Sequence, residues 1–175
     1  ARAALKLEGD TVAVLYVGRL SFHAKAHPLA MYQALEVAAT KTEKDIVLIE
    51  CGWFANEYAR KAFEEAANVT CPSVRIVRLD GREQRNRVLA WSGADIFCSL
   101  ADNIQETFGI TPIEAMAAGL PCVVADWDGY KDTISEDVGF RTPTSIPAPG
   151  LGQDLANRHA SSRDSYDFYC GHTCL

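Results

Sequence analysis

Along the chain, short continuous apolar runs alternate with longer segments whose apolar residues recur every three or four positions. TVAVLYVG (11–18), DIVLIECGW (45–53), SVRIVRL (73–79), ADIFCSL (94–100) and CVVAD (122–126) are runs of the first kind. They are rich in β-branched and apolar residues, as strands buried on both faces of a parallel sheet must be. Between them, HPLAMYQALEVAAT (27–40) places apolar residues at 29, 31, 34, 35 and 38, which is helical spacing. NEYARKAFEEAAN (56–68) and REQRNRVLAWSG (82–93) read as further helices, the latter with Val88, Leu89 and Trp91 on one side. A fourth helix is expected from TPIEAMAA, with Thr111, Pro112, Ile113 and Glu114 as N-cap, N1, N2 and N3 of a capping box, and Gly119 and Pro121 closing it. The first strand is expected to stop at Gly18, leaving Arg19 to Lys25 as a loop.

Strand and helix in strict alternation imply βαβ crossovers. The expected fold is therefore a Rossmann-like three-layer α/β/α domain with a mostly parallel sheet of about six strands. Residues 11–140 carry that pattern. Residues 1–10, ARAALKLEGD, lack it and end in a Gly9-Asp10 turn signal, so they read as a linker or the remnant of a domain boundary. In 141–175 the stretch RTPTSIPAPG has three prolines in ten residues and reads as a connection. It leads to a tail with room for one helix from about 151 to 160. Neither end carries a start or stop signal, and the chain reads as a piece of a longer protein.

Composition narrows the function classes. Of 175 residues, 48% are apolar and 23% charged, ordinary for a globular domain large enough to build its own core. The net charge is −6 and no stripe of lysine and arginine is present, which argues against nucleic acid as a partner. No run reaches the roughly 18 apolar residues of a membrane span, and the N-terminus has no signal pattern, so a soluble, cytoplasmic setting is expected. Cys51, Cys71, Cys98 and Cys122 lie in or beside apolar runs, where a free thiol acts as a small hydrophobe in a reducing compartment. Cys170, His172 and Cys174 match no common zinc spacing, and no metal is expected.

The chemistry concentrates in DNIQETFGITPIEAMAAGLPCVVADWDGYKDTI (102–134). A loop that feeds a helix N-terminus offers unpaired N–H groups and a positive dipole end, which suits a phosphorylated ligand near Phe108 to Pro112. Gly109 would let the backbone approach such a ligand closely. Arg19 and Lys25, just past the first strand, could neutralise a diphosphate directly. Each has a plainer reading. Arg19, Lys25 and Glu106 could be solvated loop charges, and Glu114 could serve only the capping box.

Glu106 and Glu114, separated by the seven residues TFGITPI and followed by AMAAGLPCVVADWDGYKDTI, resemble the C-terminal nucleotide-sugar domain of the retaining GT-B glycosyltransferases of family 4, group 1. VLYVGRL followed by a lysine is similar to the start of that domain, and the resemblance runs from about Val12 to Phe140. It implies a nucleoside-diphosphate sugar as donor substrate, no metal or other cofactor, and transfer to an acceptor hydroxyl with retention. By the same resemblance Arg19 and Lys25 hold the departing diphosphate, Glu106 faces the sugar, and Glu114 accepts from the ribose hydroxyls. Gly18, Phe108 and the backbone of Gly109, Ile110 and Thr111 line the sugar and phosphates, while Asp80, Gly81 and Arg82 pass the nucleobase. The resemblance also implies an N-terminal acceptor-binding domain outside this chain, so that the chain alone is inactive, and it leaves open a peripheral association of the full-length protein with the inner face of a membrane. Two departures are visible: Lys25 is followed by alanine and histidine where the family has glycine, and DNIQ replaces the usual proline-serine entry to Glu106.

Two other classes compete. A different Rossmann-type nucleotide enzyme, such as a nicotinamide dehydrogenase, is disfavoured because GRLSFHAK lacks GxGxxG. A non-catalytic α/β module would show an exposed apolar face and no nucleotide binding.

Overall fold

The computed structural model describes residues 1–22, 24–102, 106–145, 148, 150 and 153–162. Within them β1 (Val12–Leu20), β2 (Ile46–Phe54), β3 (Arg75–Asp80), β4 (Ile96–Ser99), β5 (Cys122–Ala125) and β6 (Gly139–Thr142) form one sheet. Its order is β3-β2-β1-β4-β5-β6 and every pairing is parallel. The helices are α1 (Pro28–Thr42), α2 (Glu57–Thr70), α3 (Gln84–Gly93), α4 (Ile110–Ala117), the single turn α5 (Tyr130–Thr133) and α6 (Gln153–Ser162). From β1 to β3 the chain steps outward in one direction with α1 and α2 packed together; the return to β4 sends the following helices to the opposite face. This is the expected α/β/α domain.

The core follows the apolar runs. Ala13, Leu15, Val47, Leu48, Ile49, Phe97 and Val124 are fully buried, because helices cover both sides of the central strands. Burial of a Leu or Phe side chain contributes about 1.5–3 kcal/mol, so these strands, with Tyr32, Phe63 and Tyr130 from the helices, are a main source of the driving force for the fold. α1 is capped by His27, whose Nδ1 accepts from the Leu29 N–H, with Pro28 at N1; α2 is capped by Asn56 through the Ala59 N–H at 2.8 Å. One charge sits in this interior. Glu50 on β2 is completely buried, accepting from the Tyr32 hydroxyl of α1 and from Arg78 Nε of β3 at 2.8 Å.

Three boundaries and one helix face differ from the sequence expectation. β1 does not stop at Gly18 but runs to Leu20, because β2 is long enough to pair Arg19 with Trp53 and Leu20 with Phe54. Residues 1–10, expected as a linker or the remnant of a domain boundary, pack onto the domain: Leu5 and Leu7 are buried, and the Arg2 guanidinium bonds to Asp95, the Gly93 carbonyl and the Thr11 carbonyl. β6 carries the fold past residue 140 to Thr142 as an edge strand, after which the prolines end the pairing. In α3 Val88 points outward, and the buried positions are Ala90 and Gly93, with Trp91 half-buried against Phe97. No helix among the described residues is long and apolar enough to cross a membrane. Cys170, His172 and Cys174 lie outside the described residues.

Candidate functional site

The strand order reverses between β1 and β4, so the loops leaving the C-terminal ends of these strands diverge and open a crevice. A cavity of ≈ 340 Å³ occupies it, lined by Tyr16, Gly18, Lys25, Ser99, Glu106 and the Phe108–Thr111 turn. Lys25 and Glu106, contributed by the two loops, meet across it with Nζ to Oε2 at 2.8 Å. The ammonium is about one-third exposed and the carboxylate 12% exposed, so the pair is partly solvated and holds the loops together by no more than about 1 kcal/mol.

The turn that carries Glu106 into α4 is shaped by two glycines. Gly109 has φ 73°, and a Cβ there would lie 2.0 Å from Cε1 of Tyr130, whose ring is buried beneath it. Gly129 donates its N–H to the Thr107 carbonyl at 3.2 Å, and a Cβ on it would stand 2.5 Å from that same oxygen. The two turns are thus in backbone contact. Because Gly109 makes the bend, α4 begins at Ile110, two residues before the expected N1. Pro112 then occupies the third helical position, where its missing N–H has no intrahelical partner to lose. The expected capping box is absent: Gly109 is the N-cap, no side chain caps the helix, and Glu114 lies at the fifth position, exposed. Its carboxylate makes no hydrogen bond or ion pair among the described residues. Glu114 is not among the residues that line the crevice.

Arg19 is half-buried at the end of β1, and its guanidinium makes no ion pair among the described residues. Its backbone carbonyl accepts from the Tyr16 hydroxyl at 3.2 Å, which anchors the strand end that presents it. Asp80 and Arg82 are not in this cavity. They line a second cleft of ≈ 280 Å³ beyond β2, with Trp53, Asn56 and Arg78. There Arg82 Nη2 holds the Asp80 carboxylate at 2.7 Å, keeping that acid low, at about 2. The turn's backbone is also committed: Gly81 donates to the Gly52 carbonyl, and Asn86 and Arg87 bond to the carbonyls of Asp80 and Gly81. A larger groove of ≈ 630 Å³ starts at Ile96, Cys122 and Gly139, the N-terminal edge of the sheet, away from these charges.

Three buried residues at or beneath the crevice went unmarked by sequence reasoning: Tyr16 and Ser99, which line it, and Tyr130 under the Gly109 turn. Burial pushes both phenols up; Tyr130 and Glu106 add to the rise at Tyr16, while at Tyr130 the Ser99 hydrogen bond works against it and Glu106 adds to it, and both remain neutral hydroxyls. The available signals were slight. Ser99 is a lone hydroxyl in an apolar strand, and Tyr130 follows the Asp128-Gly129 turn.

An all-parallel, doubly wound sheet with a polar crevice at its switch point defines the class: a Rossmann-like α/β domain. The profile described as glycosyl transferases group 1 matches residues 1–149, and the chain belongs to that family. A phosphatidyl-myo-inositol mannosyltransferase of Mycobacterium leprae (strain TN) is 37% identical over 68 residues, 38% of this chain and 18% of that protein. Among solved structures, WaaG, a glycosyltransferase involved in lipopolysaccharide biosynthesis, is similar with a TM-score of 0.64 at 19% identity, over 99% of this chain and 44% of that one. Anabaena HepE in complex with UDP-glucose gives a TM-score of 0.57 at 19% identity, again covering 99% and 44%. At these identities the structures speak for the fold. The chain spans less than half the length of each protein.

Proposed function

We propose that the β1/β4 crevice binds a nucleoside-diphosphate sugar and that this chain is the donor half of a retaining, metal-independent glycosyltransferase. The observation that carries the reading is the meeting of Lys25 and Glu106 at 2.8 Å beside the N-terminus of α4, a cation and an anion at the mouth of a helix dipole. In this reading Lys25 and Arg19 take the diphosphate, the N–H groups of Gly109, Ile110 and Thr111 close on its oxygens, and Glu106 turns to the sugar hydroxyls. Glu114 accepts from the ribose, and the base lies toward Asp80, Gly81 and Arg82.

When the glycosidic bond breaks, charge builds on the leaving diphosphate. Two fixed cations and oriented N–H groups stabilise it there without a metal. The acceptor hydroxyl is supplied from a second domain of the full-length protein, which also excludes water, and the chain alone is inactive. The free, buried thiols of Cys51, Cys71, Cys98 and Cys122 support a reducing, cytoplasmic setting.

Calorimetric titration with UDP, GDP and ADP, and with the matching nucleosides, tests the reading. One diphosphate should bind in preference to the others, and Arg19→Ala should weaken it by about 1.5–3 kcal/mol while leaving the nucleoside nearly unaffected. No heat with any nucleotide would overturn the proposal; equal losses for nucleoside and diphosphate would remove Arg19 from the phosphates.

A further inference from the structure

Ser99 closes β4 at the floor of the crevice. It is 3% exposed and lines the cavity, and its Oγ lies 3.3 Å from the Tyr130 hydroxyl, which is buried beneath the Gly109 turn. Neither hydroxyl bonds to any other group among the described residues. Two hydroxyls carry two protons, and one hydrogen bond between them uses one. The Tyr16 hydroxyl donates to the Arg19 carbonyl, and among the described residues it makes no hydrogen bond with Ser99 or Tyr130. A buried O–H without an acceptor is costly, which makes the empty pairing informative. Of the two, Ser99 lines the crevice that holds Lys25 and Glu106, so a surplus proton on its hydroxyl is available to a ligand there.

We propose that Ser99 is a further donor-binding residue, giving a hydrogen bond to an oxygen of the diphosphate, and that Tyr130 is a positioning residue that orients it. The phenol donates to Ser99 Oγ, which turns the serine proton toward the ligand. The inference rests on the nucleotide-binding reading above.

The test is a binding cycle with Ser99→Ala, Tyr130→Phe and the double variant, titrated with the preferred nucleoside diphosphate and with its nucleoside. Ser99→Ala should weaken the diphosphate roughly three- to tenfold, the size of one hydrogen bond, and leave the nucleoside unchanged. Tyr130→Phe should do the same to a smaller extent. The double variant should match Ser99→Ala alone, because the phenol acts only through the serine. Equal weakening of nucleoside and diphosphate, additive losses, or an unchanged affinity accompanied only by a lower Tm would each overturn it. Should the wild-type chain bind no nucleotide, the donor-binding reading falls first, and the variants would then differ only in stability.

Discussion

At the scale of single residues, the crevice depends on one position where a side chain cannot exist. Gly109 combines φ 73° with a Cβ direction that ends 2.0 Å from the Tyr130 ring. Gly109→Ala therefore meets both backbone strain, about 1–3 kcal/mol, and displacement of a fully buried aromatic ring. The expected outcome is a lowered Tm together with lost nucleotide binding, measured by thermal denaturation and calorimetry on the same sample; retention of both would mean the turn relaxes freely. Lys25 and Glu106 make a second, opposed pair of expectations. The ammonium is held by the carboxylate at 2.8 Å, so a diphosphate would have to compete for it. Glu106→Gln should raise affinity for a nucleoside diphosphate lacking its sugar by a few-fold, the scale of a partly exposed ion pair, whereas Lys25→Ala should lower it. Equal losses from both variants would contradict that competition.

At the scale of elements, the central strands and three of the helices were legible because their periodicity is imposed by burial on both faces or on one. What escaped was set by contacts distant in sequence. Arg19 looked like a loop residue because Gly18 is a local stop signal, yet pairing with β2 carries the strand on to Leu20. T-P-I-E looked like a capping box because only local chemistry was available to judge it. The bend is made instead by Gly109 against Tyr130, twenty-one positions away. Residues 1–10 carry no periodicity, and it is Arg2 and Leu5 meeting Asp95 and Gly93 that build them into the fold. The same dependence on distant partners governs the tie between α1, β2 and β3. Glu50 is wholly buried, and burial raises its pKa from an ordinary 4.5 while Arg78 and the Tyr32 hydroxyl pull it down. A buried acid with a raised pKa contributes full stability when protonated, below about 4.5, and loses it as pH rises through the folded-state value. Arg78→Met removes the largest restraint on that rise and leaves an uncompensated charge. The loss at pH 7 should be about 3–5 kcal/mol and should shrink on lowering the pH toward 5, read from urea unfolding at both values. A loss that does not change with pH would assign the effect to packing alone.

At the scale of the whole molecule, the crevice has a floor and two walls of this chain and an apolar rim: Phe108 and Ile110, at its mouth, are 56% and 66% exposed. Large apolar side chains beside a polar site are where a covering surface would gain most, and related structures are more than twice as long as this chain. On the proposed reading donor binding needs only the floor and the local cations; the overall charge of −6 opposes an anionic ligand at long range, so the affinity would have to come from Lys25, Arg19 and the turn of α4. Transfer needs more, because charge separation in an open crevice is screened by water and an acceptor hydroxyl has to be held against the sugar. The isolated chain should therefore bind its nucleotide, lose diphosphate but not nucleoside affinity as salt is raised, and consume no sugar donor in the presence of simple acceptors over hours, followed by release of nucleoside diphosphate. Turnover should appear when the same residues are tested within the full-length protein. Transfer by the isolated chain would show that the acceptor site is already complete within these 175 residues and that the apolar rim serves some other purpose.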